Sequence, residues 1–216
     1  MAKKVTKKQA SKKEAPKKEA PKKKTPKKKT PKKIGGPAFD AEKLRRDVLE
    51  AARAALADIR AKAGDDPLYA FALYSDDDAG TIIPAANTER GLASKAKYYG
   101  DRVELQYLRW GTAEWEYEGR PGANHFNSIC DRLLSLAMSD AVPRGKGFVA
   151  HRWHVYEVAI KALEDLDREG VFGVGKARQE MTVFCTISDS NDARRLERES
   201  ARRLNPPAVF RRFMKR

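Results

Sequence analysis

The sequence predicts an α+β domain: a small, mainly antiparallel sheet, built from a hairpin over 68–84 and a strand over 180–187, packed by about five helices and preceded by a disordered basic tail. Three observations carry this. Leu68–Tyr74 is apolar on both faces of an extended chain, as a buried strand requires. Five other stretches repeat apolar residues at helical spacing without a regular strand-helix alternation, which favours segregated α+β over a doubly wound α/β fold. The composition also changes abruptly at Ile34-Gly35-Gly36-Pro37, setting a tail of 1–37 apart from a domain of 38–216.

The tail repeats every five residues: KKEAP twice, KKKTP twice, then KK, over Lys12–Lys33. Proline at 16, 21, 26 and 31 interrupts any helix, and neighbouring ammonium groups repel, so an extended chain is expected. Val5 and Ile34 are its large apolar residues, too few to build a core. Charge is segregated accordingly. Residues 1–36 hold 16 Lys against 2 Glu, residues 37–193 hold 20 basic against 26 acidic groups, and residues 194–216 hold 9 against 2. A polyanion would therefore meet the two ends rather than the middle.

From Asp40 onward, Leu44, Val48, Ala52, Leu56 and Ile59 mark an amphipathic helix stopped by Gly64-Asp65-Asp66-Pro67. In the hairpin, period two places Leu68, Ala70, Ala72 and Tyr74 on one face and Tyr69, Phe71 and Leu73 on the other. The polar Ser75–Gly80 makes the turn, Thr81-Ile82-Ile83 resumes the strand, and Pro84 closes it. Asn87 or Thr88 caps a helix to about Tyr99. Val103–Trp110 reads equally as helix or strand, and Thr112 is a cap candidate for a short turn. Helices follow over Phe126–Ala137 and about Val149–Glu169, then a strand at Met181–Ile187. A last helix is capped by Asn191 or Asp192 and ends before Asn205-Pro206-Pro207.

The runs LYAFALYSDDD, AANTE, LRWGTAEWEYE, EGVFG, ISDS and LNPP resemble the bacterial family catalogued as domain of unknown function 4303, over roughly Leu44–Phe213. The most distinctive element is Arg109-Trp110 followed by Trp115. The resemblance implies no activity. It does imply kinship with proteins thought to serve as immunity or accessory partners in toxin and phage-conflict loci.

The tail is the strongest functional signal. Lys12, Lys13, Lys17, Lys18, Lys22, Lys23, Lys24, Lys27, Lys28, Lys29, Lys32 and Lys33 form the candidate polyanion site, because dense lysine neutralises phosphates and releases counterions. Its Thr-Pro-Lys-Lys units, Thr25–Lys28 and Thr30–Lys33, resemble linker-histone repeats. A solubilising tail and an anionic membrane surface are the alternatives; no aromatic side chain is present to insert into lipid. The basic last helix, with Arg194, Arg195, Arg198, Arg202 and Arg203, reads first as a solvated face and second as added phosphate contacts.

A second candidate is the cluster Arg109, Trp110, Glu114, Trp115 and Tyr117, which has the composition of a protein-binding hot spot or pocket. Its competing role is core closure beneath the hairpin, with Arg109 in an internal ion pair. Gly170–Lys176 satisfies G-x-x-x-x-G-K, but a helix precedes it, a strand follows, and Ala177 stands where magnesium needs Ser or Thr, so Phe172 is assigned to the core. His151, His154 and His125 with Asp131 make a weak metal set, and Asp76–Asp78 lacks the alternating spacing of a calcium loop. No catalytic residue, metal or cofactor is assigned.

Two cysteines, Cys130 and Cys185, fit buried thiols in a reducing compartment. With no apolar signal core, the expected location is cytoplasmic, possible association with the nucleoid following from the tail. The reading is a non-enzymatic interaction domain tethered to nucleic acid. Its alternatives are an immunity-type protein with a protein partner and no DNA role, and a hydrolase or nucleotide-modifying enzyme using Glu114 with Arg109.

Overall fold

The computed structural model describes residues 39–142 and 144–216. The lysine tail and its polyanion site lie outside the described residues. The remainder is α+β, with a four-stranded mixed sheet and eight α-helices among the described residues.

Helix α1, Ala41–Ala63, starts where the Asp40 carboxylate accepts the Lys43 amide at 2.9 Å. It buries Leu44, Val48, Ala52, Leu56 and Ile59 along one stripe. Strand β1, Leu68–Ser75, pairs antiparallel with β2, Ile83–Thr88. Pro84 thus sits inside the second strand instead of closing it. It is accommodated because β3, Tyr117–Glu118, covers only Ala85 and Ala86, leaving the proline at the thin end of the sheet. Thr88 then caps α2, Glu89–Tyr99, by accepting the Gly91 amide at 2.9 Å.

Helix α3, Leu105–Trp110, resolves the ambiguous segment as helical. Gly111, not Thr112, occupies the cap position of the short 3-10 turn Thr112–Glu114 that follows. After α4, Asn127–Ala137, and α5, Lys146–Arg168, a short α6, Gly175–Glu180, precedes β4, Thr182–Ile187. The chain finishes with α7, Ala193–Leu204, and α8, Pro207–Phe213. Three of the eight helices have only six or seven residues, too few turns for periodicity to reveal them.

Strand β4 joins β1 in parallel, giving the order β3-β2-β1-β4. On one face, Phe71, Leu73, Val183 and Cys185 meet α1, α4 and α5. On the other, Ala70, Ala72 and Ala85 are small enough to admit Trp110, Trp115, Phe184 and Phe213. Those rings pack edge-on or tilted, with centroids 4.7–5.7 Å apart.

Tyr69 departs from the simple alternation. Leu68 pairs with Thr88 and Ala70 with Asn87, so one extra residue is inserted in β1 and the bulge turns Tyr69 to the tryptophan side. The outer edge of β4 is closed by side chains of α7 and the residue after it. Ser200 Oγ accepts the Cys185 amide at 2.9 Å, and Asn205 accepts the Val183 amide at 2.8 Å while donating to the Val183 carbonyl at 2.6 Å. An edge strand capped in this way offers no free ladder to another chain.

Candidate functional site

The three rings of the aromatic cluster are divided between two cores. Trp110 and Trp115 belong to the layer beneath α2, α3 and α8, and Tyr117 to the opposite one. All three are buried. Arg109 lies between them as a strut. Its guanidinium makes a two-pronged bond to Glu89, both contacts 2.8 Å, and stands 4.8 Å from the centre of the Tyr69 ring. Its carbonyl accepts the Tyr69 hydroxyl at 2.8 Å and the Trp115 indole at 3.0 Å. Asn87 Nδ2 donates to the Tyr69 oxygen at 3.0 Å, completing a buried chain of polar groups. Burial dominates the Tyr69 hydroxyl and keeps it protonated far above its ordinary range.

Glu114 is engaged elsewhere: it accepts the Tyr99 hydroxyl at 2.9 Å and the Lys95 ammonium at 3.4 Å. Arg109 and Glu114 are therefore held by separate partners. A cleft of about 380 Å³ does open beside Arg109, walled by Tyr69, Glu89, Trp110, Glu180, Thr182, Arg212 and Lys215, but Glu114 has no place in it. Thr182 Oγ1, buried against this cleft, has no hydrogen-bond partner among the described residues.

The other titratable candidates have structural partners. His125 Nε2 lies 2.8 Å from Asp58, and the rings of His151 and His154 pack on Phe39 at 5.2 and 5.0 Å. Among the described residues, no group of three His, Cys, Asp or Glu is placed to hold a metal ion. Burial pushes both cysteine thiols up, away from the thiolate form. The acidic turn is more tied down than a solvated tip. Asp76 accepts the Asp78 and Gly80 amides and the Thr81 hydroxyl, while Asp77 accepts from the buried Arg152 at 3.0 Å and from Ser190 at 2.6 Å. In the glycine run, Phe172 is buried against Phe71, and the final glycine and lysine open α6, so a short helix and not the expected strand comes next, with Ala177 still where magnesium needs Ser or Thr.

The last two helices form a different kind of surface. Arg203 is fixed by Glu157 and Glu164 of α5, which raise its pKa, and Arg216 by Glu197. These contacts, with Ser200 and Asn205 on β4, set the rotation of α7. The result leaves Arg194, Arg198 and Arg202 exposed, with no acidic partner among the described residues. They recur every four residues, hence about 6 Å apart along one stripe. Together with Arg195, Glu199 and Met214 they line an open groove of about 540 Å³. Arg194 also lines a neighbouring groove of about 390 Å³, whose walls include Tyr107, Gly111 and Arg216. Such an arrangement can hold a row of anionic groups.

Sequence reasoning named the arginines of α7 but not Tyr107 as a candidate. Tyr107 is 59% exposed, next to the exposed Gln106 and the buried Leu108. Because Val103–Trp110 reads equally as helix or strand, the face carrying Tyr107 had no signal in the sequence.

No helix among the described residues is long and apolar enough to cross a membrane. The family described as "Domain of unknown function (DUF4303)" matches residues 48–206. No curated protein and no solved structure matches the chain.

Proposed function

The chain belongs to the DUF4303 family, and on that footing we propose that it is a non-enzymatic interaction protein tethered to nucleic acid by its lysine-rich tail, with α7 as a second contact. The observation that carries this reading is the segregation of charge. Sixteen lysines occupy residues 1–36, and the basic excess returns only at residues 194–216. Proline-spaced lysine pairs repeat positive charge at short intervals of sequence, which suits phosphates and reads no bases.

The folded part adds a directed contribution. Arg194, Arg198 and Arg202 make no ion pair among the described residues, whereas Arg203 of α7 and Arg216 beyond α8 are consumed by ion pairs. An arginine that only decorates a solvated helix needs no such division. Binding is favoured over hydrolysis or nucleotide modification because Arg109 and Glu114 are spent on Glu89, Tyr69, Lys95 and Tyr99. In this reading, the cytoplasm or nucleoid is where the tail finds its partner.

Deleting residues 1–36 tests the proposal: retention on DNA weakens and loses most of its salt sensitivity while the far-ultraviolet circular dichroism of the domain is kept. Equal retention by the truncated chain would overturn it.

A further inference from the structure

We infer that the groove between α3 and α7 receives single-stranded nucleic acid, with Tyr107 stacking a base and the α7 arginines holding the flanking phosphates. This rests on the nucleic-acid reading above and narrows it to one class of strand.

The argument begins with position. Arg194 borders both grooves, so the groove with Arg202 and Arg198 and the groove with Tyr107 adjoin at this residue. The three arginines cover about 12 Å of helix. Beyond Arg194 the groove holds an aromatic ring, Tyr107, 59% exposed, with Glu104 on the same wall and Glu197 neutralised by Arg216. Gly111 lies beside the ring. A Cβ built at residue 111 would meet the Tyr107 carbonyl oxygen at 3.0 Å and reach van der Waals contact with the ring at 3.8 Å, so a side chain there would share the groove with the tyrosine.

A row of cations serves any polyanion, but an exposed ring at its end discriminates. Base stacking on an aromatic side chain requires an unpaired base with a free face, which duplex DNA and sulfated polysaccharides do not present. A base has such a face whatever its identity, so the site is tolerant of sequence. The pairing of unpartnered arginines with this ring favours a nucleic-acid strand over a protein partner, which would be indifferent to bases.

The experiment compares, at fixed salt, the affinity of the full chain for an oligothymidylate and for a deoxyribose-phosphate strand of equal length lacking bases. The full chain should prefer the strand with bases by about fivefold or more. Tyr107→Ala should erase that preference and leave affinity for the abasic strand unchanged, while Tyr107→Phe should keep it. Arg198→Glu should weaken both strands together. Since Tyr107 is mostly solvent-exposed, its removal leaves the near-ultraviolet spectrum of the buried tryptophans as a check on folding. Equal affinity of the full chain for both strands would overturn the stacking site and spare the tether. Failure to bind either strand would overturn both. A preference that survives in Tyr107→Ala would remove Tyr107 from the site.

Discussion

The Tyr69 hydroxyl donates to the Arg109 carbonyl at 2.8 Å while the Arg109 guanidinium stands 4.8 Å from the centre of the same ring. One residue thus contacts both ends of the other, and the β-bulge in β1 makes this possible by turning Tyr69 toward α3. Tyr69→Phe retains the ring but removes the oxygen that accepts from Asn87, a fully buried side chain. The Arg109 carbonyl keeps its bond from Trp115, so the cost should be about 1–2 kcal/mol, read as a lower urea midpoint with unchanged slope. A midpoint equal to that of the parent would contradict the role assigned to the oxygen.

Arg178 is buried and ties together three segments: it donates to Asp167 at the end of α5, to the Met181 carbonyl at 2.6 Å and to the Leu204 carbonyl of α7. Arg178→Ala leaves those acceptors without their donor and should cost about 3–5 kcal/mol. Arg178→Lys should rescue little, because an ammonium cannot reach three acceptors in the plane of a guanidinium. Denaturant unfolding of the two variants makes the comparison.

Thr182 offers the opposite case. Its hydroxyl is buried without a partner among the described residues, and the residue as a whole is almost fully covered in β4. Thr182→Val keeps the shape and removes the unsatisfied group, so stability should hold or rise by up to about 1 kcal/mol. A fall in melting temperature would show that the hydroxyl is bonded in solution.

His151 gives the fold a pH dependence. Burial, then the neighbouring His154, lowers its pKa below the ordinary value of about 6.5. The folded state therefore takes up a proton less readily than the unfolded chain. Its contribution is present above about pH 6.5 and is lost as pH falls through the depressed folded value. Stability measured from pH 7.5 to 5 should decline more steeply in the parent than in His151→Gln; parallel curves would exclude this histidine as the cause.

How much of this was legible in the sequence depended on length and repetition. Helix α1 declared itself through Asp40 and five apolar residues at helical spacing, and β1 through a run apolar on both sides. The bulge at Tyr69 was hidden, because period two assigns every residue a face and nothing in LYAFALY signals an inserted one. Strand β3 has two residues, below any pattern. Asp192 illustrates a competing demand. It stands at the start of α7 as anticipated, yet its carboxylate accepts Arg152 at 2.8 Å instead of bonding the helix amides. The aromatic cluster was visible as composition; its division between two cores depends on which helix face each ring takes, and that is a tertiary fact.

The tether is tested most directly by the salt dependence of DNA affinity for the full chain and for residues 37–216 on one duplex. Each phosphate neutralised adds about 0.9 to the slope of log affinity against log salt. The account predicts that removing the tail makes the slope shallower by about 3 or more, with weaker binding at low salt. Two parallel lines of equal affinity would contradict it.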